Sequence, residues 1–254
     1  MTFNRPLFAT LGATIAIAAA TFGLSQGATS AAPASAPTAI PATGEPVLLE
    51  LFTSQGCSSC PPADALAAKL AKNPDLVVIA RPVTYWDRLG WKDTLAREEN
   101  TALQQDYARR GLAGYNGVYT PQLVVNGTYG AVGSRADAVA AGVKAQAGKS
   151  TATIRAGRQS AGGYAVDLAG TGAGELVLLA VTRRVDVGIG SGENGGRKVS
   201  YTNVLRAEKT IAAWQGGAQR VALGPDQLKA PGADAYAVVL RAPGGGKVLA
   251  ARWL

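Results

Sequence analysis

Cys57 and Cys60 sit in the run Thr53-Ser-Gln-Gly-Cys-Ser-Ser-Cys-Pro-Pro62 and are the only cysteines in the 254-residue chain. A C-x-x-C pair can do three things. It can cycle between dithiol and disulfide, stay closed as a staple, or offer two thiolates to a soft ion such as Cu(I). As a staple it gains little, because closing so short a loop is worth only ~2 kcal/mol in the chain-entropy model. The rest of the inventory narrows the chemistry. The chain has no histidine, which excludes Ser-His-Asp and Cys-His catalysis and any imidazole metal ligand. Pro61 follows Cys60, so the pair is not a c-type haem attachment site. Two cysteines are too few for a structural zinc site of Cys and His. No cofactor and no resident metal are expected.

The flanking residues define how the pair is held. Pro46 to Phe52 is an apolar run between turn signals and reads as a buried strand. Pro61 and Pro62 fit a helix start, and Ala63 to Ala71 has helical spacing, with Leu66 and Leu70 on one face. Leu76 to Ala80 reads as a second strand. The cysteines therefore fall at a strand-to-helix junction, where free N–H groups and the dipole of a helix N-terminus stabilise a thiolate. Cys57, in the Gly-containing loop, is expected to be the exposed attacking thiol, and Cys60 the shielded, resolving one. Glu50, in the strand before the motif, is a candidate to take a proton from Cys60.

Farther along, Leu95 to Arg110 reads as a polar helix with Leu103 and Tyr107 at i, i+4. Before it, Tyr85-Trp86-Asp87 and Trp91 concentrate aromatics in an aromatic-poor chain. They form either a lip around the cysteines or an anchor for the helical insertion. Thr120-Pro121-Gln122 opens a strand, and Asn126-Gly127 signals a hairpin. In thioredoxin-like folds this place resembles the cis-proline that faces the C-x-x-C. Pro121 is therefore expected to be cis, with the backbone of Thr120 open to an extended thiol substrate. The plain alternative is a trans proline opening an edge strand. A helix from Arg135 to Ala147, capped by Ser134, completes the thioredoxin order with an insert.

These motifs, with Leu89-Gly-Trp-Lys-Asp93, Gly192-Glu-Asn-Gly-Gly-Arg197, Tyr201 and Asn203-Val204, resemble the DUF1223 family of secreted bacterial proteins. The resemblance runs from Glu45 to the C-terminus. It implies export and a thioredoxin-like domain, and it says little about substrate. The chain departs from the family pattern at Pro82-Val83-Thr84 and at Thr202, where relatives tend to carry histidine.

Residues 1–32 read as a signal peptide: Arg5, an apolar stretch from Leu7 to Leu24, then small residues. Residues 33–44, rich in Ala, Pro and Thr, read as a linker. A secreted or periplasmic location follows, with no stable membrane insertion after cleavage of the leader. The expected fold class is α/β: a thioredoxin-like domain with a helical insertion over 45–148, then a small all-β, sandwich-like domain over 151–254, where short alternating runs are separated by glycines. Gly188 to Lys198 is a Gly-rich loop within it, read either as a binding loop folded on the redox face or as a structural loop in which Glu193 pairs with Arg197. The formal charge of +8 is scattered, without a basic stripe, so no nucleic-acid partner is expected. Oligomeric state is not legible. The function read from these residues is a cell-envelope thiol–disulfide oxidoreductase acting on protein thiols and disulfides through Cys57, Cys60, Thr120, Pro121 and Glu50. Its rival is a non-catalytic binding module for Cu(I) or a protein partner.

Overall fold

A computed structural model describes residues 44–114 and 117–254. The expected leader (1–32) and most of the linker (33–44) lie outside the described residues. Strand β1 (Val47–Thr53) is buried along its whole length and runs parallel to β2 (Leu76–Pro82), with α1 (Pro61–Leu70) as the crossover. Helix α2 (Glu98–Arg109) precedes the hairpin β3 (Gln122–Val125) and β4 (Tyr129–Val132), and α3 (Ala136–Gln146) follows it. Asn126 and Gly127 turn this hairpin at positive φ, which Asn tolerates and Gly permits without strain.

Beyond residue 151 the chain is almost entirely strand: β5 (Ala152–Arg158), β6 (Tyr164–Gly170), β7 (Gly174–Gly188), β8 (Lys198–Trp214), β9 (Gln219–Leu223), β10 (Ala235–Arg241) and β11 (Val248–Trp253). Here the expected fold class is overturned. The late strands do not form a separate sandwich behind a thioredoxin-like domain. β8 joins β2 in parallel at Ala80–Val204, giving one mixed eight-stranded sheet in the order β11-β10-β7-β8-β2-β1-β3-β4. Only β5-β6-β9 forms a second, three-stranded sheet. The molecule is mainly β, with three α-helices among the described residues. Alternation marks most of these strands in part, but it carries no information about which edge a strand seeks, and the free edge of β2 is taken by β8.

Alternation along the strands then sorts the core. Leu49 and Leu51 of β1 face α1 and α3 with Ala63, Ala67, Val139 and Val143. Leu48 of β1 faces the other way, as do Val77 and Ile79 of β2, and they pack with Val177, Leu179, Ala237, Val239 and Ala251. The large sheet thus curls so that its late strands cover the inner face of its early ones. Leu176, Leu178, Val238 and Leu240, on the opposite faces of the same late strands, pack against Ile154, Val166 and Leu168 of the small sheet. At the β2–β8 seam, Asn203 sits at φ 49° and donates from Nδ2 to the Val78 carbonyl at 2.9 Å. This left-handed residue drops out of the β7–β8 pairing without shifting its register, next to Val204, where β8 meets β2.

Candidate functional site

The loop that leaves β1 carries Cys57 and returns into α1 at Cys60, its N-cap residue, and the two sulfurs are joined in a disulfide. The helix start differs from the expected thiolate cradle. Pro61 and Pro62 have no N–H, and the next two donors, Ala63 and Asp64, are both bonded to the Cys60 carbonyl. The dipole remains, but the free N–H groups do not.

Three segments hold the loop. From the segment between β2 and α2, Asp93 accepts the Gln55 N–H at 2.8 Å, and Trp91 Nε1 donates to Gln55 Oε1 at 2.8 Å. From the tip of the β7–β8 hairpin, Asn194 Nδ2 donates to the carbonyls of Gln55 (3.0 Å) and Cys57 (2.8 Å), while Glu193 accepts the Ser58 N–H at 3.1 Å. Arg197 donates to Asn194 Oδ1 rather than pairing with Glu193. The Gly-rich tip is therefore folded onto the cysteine loop. Trp91 packs against Gly190 and Gly192 of that tip, and a Cβ at Gly190 would lie 2.9 Å from its ring. Trp86 borders Gly56 and donates from Nε1 to Thr120 Oγ1 at 2.8 Å. Both tryptophans thus line the loop, Trp91 pinning the hairpin tip to it. The Thr120–Pro121 bond is cis, and Ser59 Oγ stands 3.4 Å from Cys57 Sγ and 3.5 Å from the Thr120 carbonyl.

Cys57, Cys60, Thr120 and Pro121 are thus brought together. Two expectations need correction. Cys57 is not exposed: both cysteines are fully buried, and only Ser58 and Ser59 of the motif reach solvent. Glu50 is not brought to the cysteines. It alternates with Leu49 and Leu51, so it points to the face of β1 away from α1. There it accepts from Arg81 Nε (2.8 Å), Arg241 Nη2 (2.7 Å) and the Tyr107 hydroxyl. Burial pushes its carboxyl up, but the two guanidiniums and the phenol outweigh burial and hold it at about 2.

The buried acid on the cysteine side is Asp64, which the strand-based reading missed. It lies four residues after Cys60 on α1 and is 2% exposed. Burial pushes its carboxyl up to about 8; the Thr53 hydroxyl opposes this, and the nearby Asp93 carboxylate adds to it to a lesser degree. The Thr53 hydroxyl faces it without closing a hydrogen bond of good geometry, and among the described residues neither carboxyl oxygen has another partner. A signal was present in the sequence: an acid at i+4 from Cys60 on a helix face otherwise built of Ala63 and Ala67. Asp93 is raised by burial too, but three N–H groups, from Gln55, Leu95 and Ala96, satisfy it. Among the described residues, no cluster of three His, Cys, Asp or Glu is placed to hold a metal ion.

A family model described as "Protein of unknown function (DUF1223)" matches residues 48–241. A crystal structure of a protein from Agrobacterium tumefaciens, determined as a structural-genomics target, is 31% identical and superposes with a TM-score of 0.71, covering 82% of this chain and 93% of that one. HBP35 of Porphyromonas gingivalis shares the fold at a TM-score of 0.51 and 12% identity, over 83% of this chain and 75% of that one. Among curated proteins there is no match.

Proposed function

The chain belongs to the DUF1223 family, and from that premise we propose that it exchanges its Cys57–Cys60 disulfide with protein thiols outside the cytoplasm. The observation that carries this reading is the disulfide itself, closed between residues three positions apart, from the loop to the N-cap of α1. A bond that constrains so few residues adds little to stability, whereas its place at a helix start and beside Thr120 suits exchange. The leader-like residues 1–32 support an oxidising compartment.

In the exchange, a client thiolate attacks Cys57 Sγ, the new S–S bond forms, and Cys60 leaves as a thiolate. A second client thiolate then displaces Cys57, and the client leaves with a disulfide while the pair is left reduced. Cys57 is the point of attack because it lies in the loop, where the hydroxyl of exposed Ser59 is what stands against its sulfur. Cys60 is built into the helix. Cys60→Ser is therefore expected to accumulate a mixed disulfide with oxidised glutathione or a client, visible by mass spectrometry, and Cys57→Ser is not. Trapping by Cys57→Ser alone would reverse the assignment.

The complete burial of both sulfurs favours a second reading, a binding module whose reduced pair takes Cu(I) or whose surface holds a partner. In that case neither variant traps a thiol, and both lose Cu(I) equally in a titration of the reduced protein.

A further inference from the structure

Asp64 has no structural employment that accounts for it. An acid in the first turn favours the helix dipole, but an exposed position would serve that end without the cost of burial. Here both carboxyl oxygens are buried and unpaired, which is costly unless the site has another use. The groups that face it come from three directions: Thr53 of β1, Asp93 of the segment before α2, and Tyr201 of β8. No Lys or Arg is among them. The guanidinium of Arg81 is spent on the other face of the sheet, on Glu50, Glu208 and Asn100. Cys60 has helical backbone angles (φ −79°, ψ −36°), so Cys60 and Asp64 are i, i+4 neighbours on one helix face, with Cβ atoms roughly 6 Å apart. Asp64 is joined to that residue's carbonyl by its own N–H at 3.1 Å.

We propose that Asp64 exchanges the proton of the Cys60 thiol as the disulfide opens and closes. This rests on the exchange reading above. When a client thiolate attacks Cys57 Sγ, the Cys57–Cys60 bond breaks and Cys60 leaves with the electron pair. The protonated Asp64 carboxyl gives its proton to that sulfur and becomes a carboxylate. In the reverse direction the carboxylate takes the proton from Cys60. The resulting thiolate attacks Cys57 Sγ of the mixed disulfide, the disulfide re-forms, and the client sulfur departs as a thiolate. Each step conserves protons and electrons, and the only co-reactant is a thiol or disulfide. An acid held neutral near pH 7 is matched to this task, since it can serve in either direction. Asp93 keeps the loop in place through Gln55, and its charge helps to hold Asp64 protonated.

The test uses the reduced full-length protein and oxidised glutathione, following release of the second glutathione from pH 6 to 9. In wild type the rate of this resolving step is expected to flatten near pH 8. In Asp64→Asn it is expected to fall about a hundredfold at pH 7 and to keep rising tenfold per pH unit, because only thiol ionisation remains to drive it. A merely structural role would not change that slope, and an unchanged profile in Asp64→Asn overturns the proposal. A second measurement needs no variant. The Cys60 Cβ resonance of ¹³C-labelled reduced wild type should titrate in two coupled steps shared with Asp64, and a single step overturns the proposal. Failure of the exchange reading itself is distinct: Cys60→Ser would then form no mixed disulfide at all.

Discussion

Glu50 keeps its charge in the core because Arg81, Arg241 and Tyr107 surround it, and Asp64 gives up its charge because nothing cationic does. The two acids therefore bend stability in opposite directions with pH. Glu50, lowered from 4.5 to about 2, contributes stability that is fully present above pH 4.5 and is lost as pH falls towards 2. Asp64, raised from 3.8 to about 8, costs progressively more as pH climbs between those values, by roughly 1 kcal/mol per unit. Asp64→Asn should thus raise the urea midpoint at pH 7.5 and flatten the decline above pH 4. Glu50→Gln should lower the free energy of unfolding at pH 7 by about 3–5 kcal/mol, since it leaves two buried guanidiniums undercompensated, and should remove the loss below pH 4.5. The burial of Glu50 was legible from its apolar strand. Its partners were not, since Arg81 and Arg241 lie 31 and 191 residues away, and no local pattern links them.

The strand–loop–helix unit around the cysteines was legible because its punctuation is local: an apolar run, a glycine, two prolines, then helical spacing. The hairpin that covers it was only half legible. Gly188–Lys198 stands out in the sequence as a Gly-rich loop, but β7 and β8 run well past the short alternating stretches on either side of it. Arg183, Arg184, Lys209 and neighbouring polar residues extend both strands where they are exposed on the ladder, so hydrophobic alternation fades before the hydrogen bonding does. The tip is held to the disulfide loop chiefly by Asn194, which is fully buried. Asn194→Ala removes both of its bonds to the loop carbonyls and should speed reduction of the disulfide by dithiothreitol severalfold, measured by thiol release. The hairpin stem, with its long β7–β8 ladder, should keep the thermal midpoint within a few degrees. An unchanged reduction rate would mean that the tip does not limit access to the sulfurs.

Across the whole molecule, the early strands cannot close their own core. Leu48, Val77 and Ile79 are fully buried, and the residues that bury them come from β7, β8, β10 and β11. A fragment ending near residue 150 would leave that face of β1 and β2 in water and the β2 edge unpaired. It should therefore lack dispersed amide resonances and aggregate, and a monomeric, well-dispersed fragment would contradict the shared core. The division expected near residue 150 followed a real change of texture, from helix-bearing to Gly-separated strand segments. Texture reports local structure, whereas the seam at Ala80–Val204 and the Asn203 bond to Val78 are long-range events set by which edge remains open.

The loop that carries the disulfide is tied down at the Cys57 carbonyl by a residue 137 positions downstream of Cys57. Synthesis delivers the chain from its N-terminus, so the sulfurs emerge long before Asn194 does. Throughout that interval they meet whatever oxidant the compartment holds without obstruction, and only later does the hairpin settle over them. Nascent chains arrested before residue 188 should accordingly react with a maleimide or an oxidant much faster than the completed chain does after mild reduction.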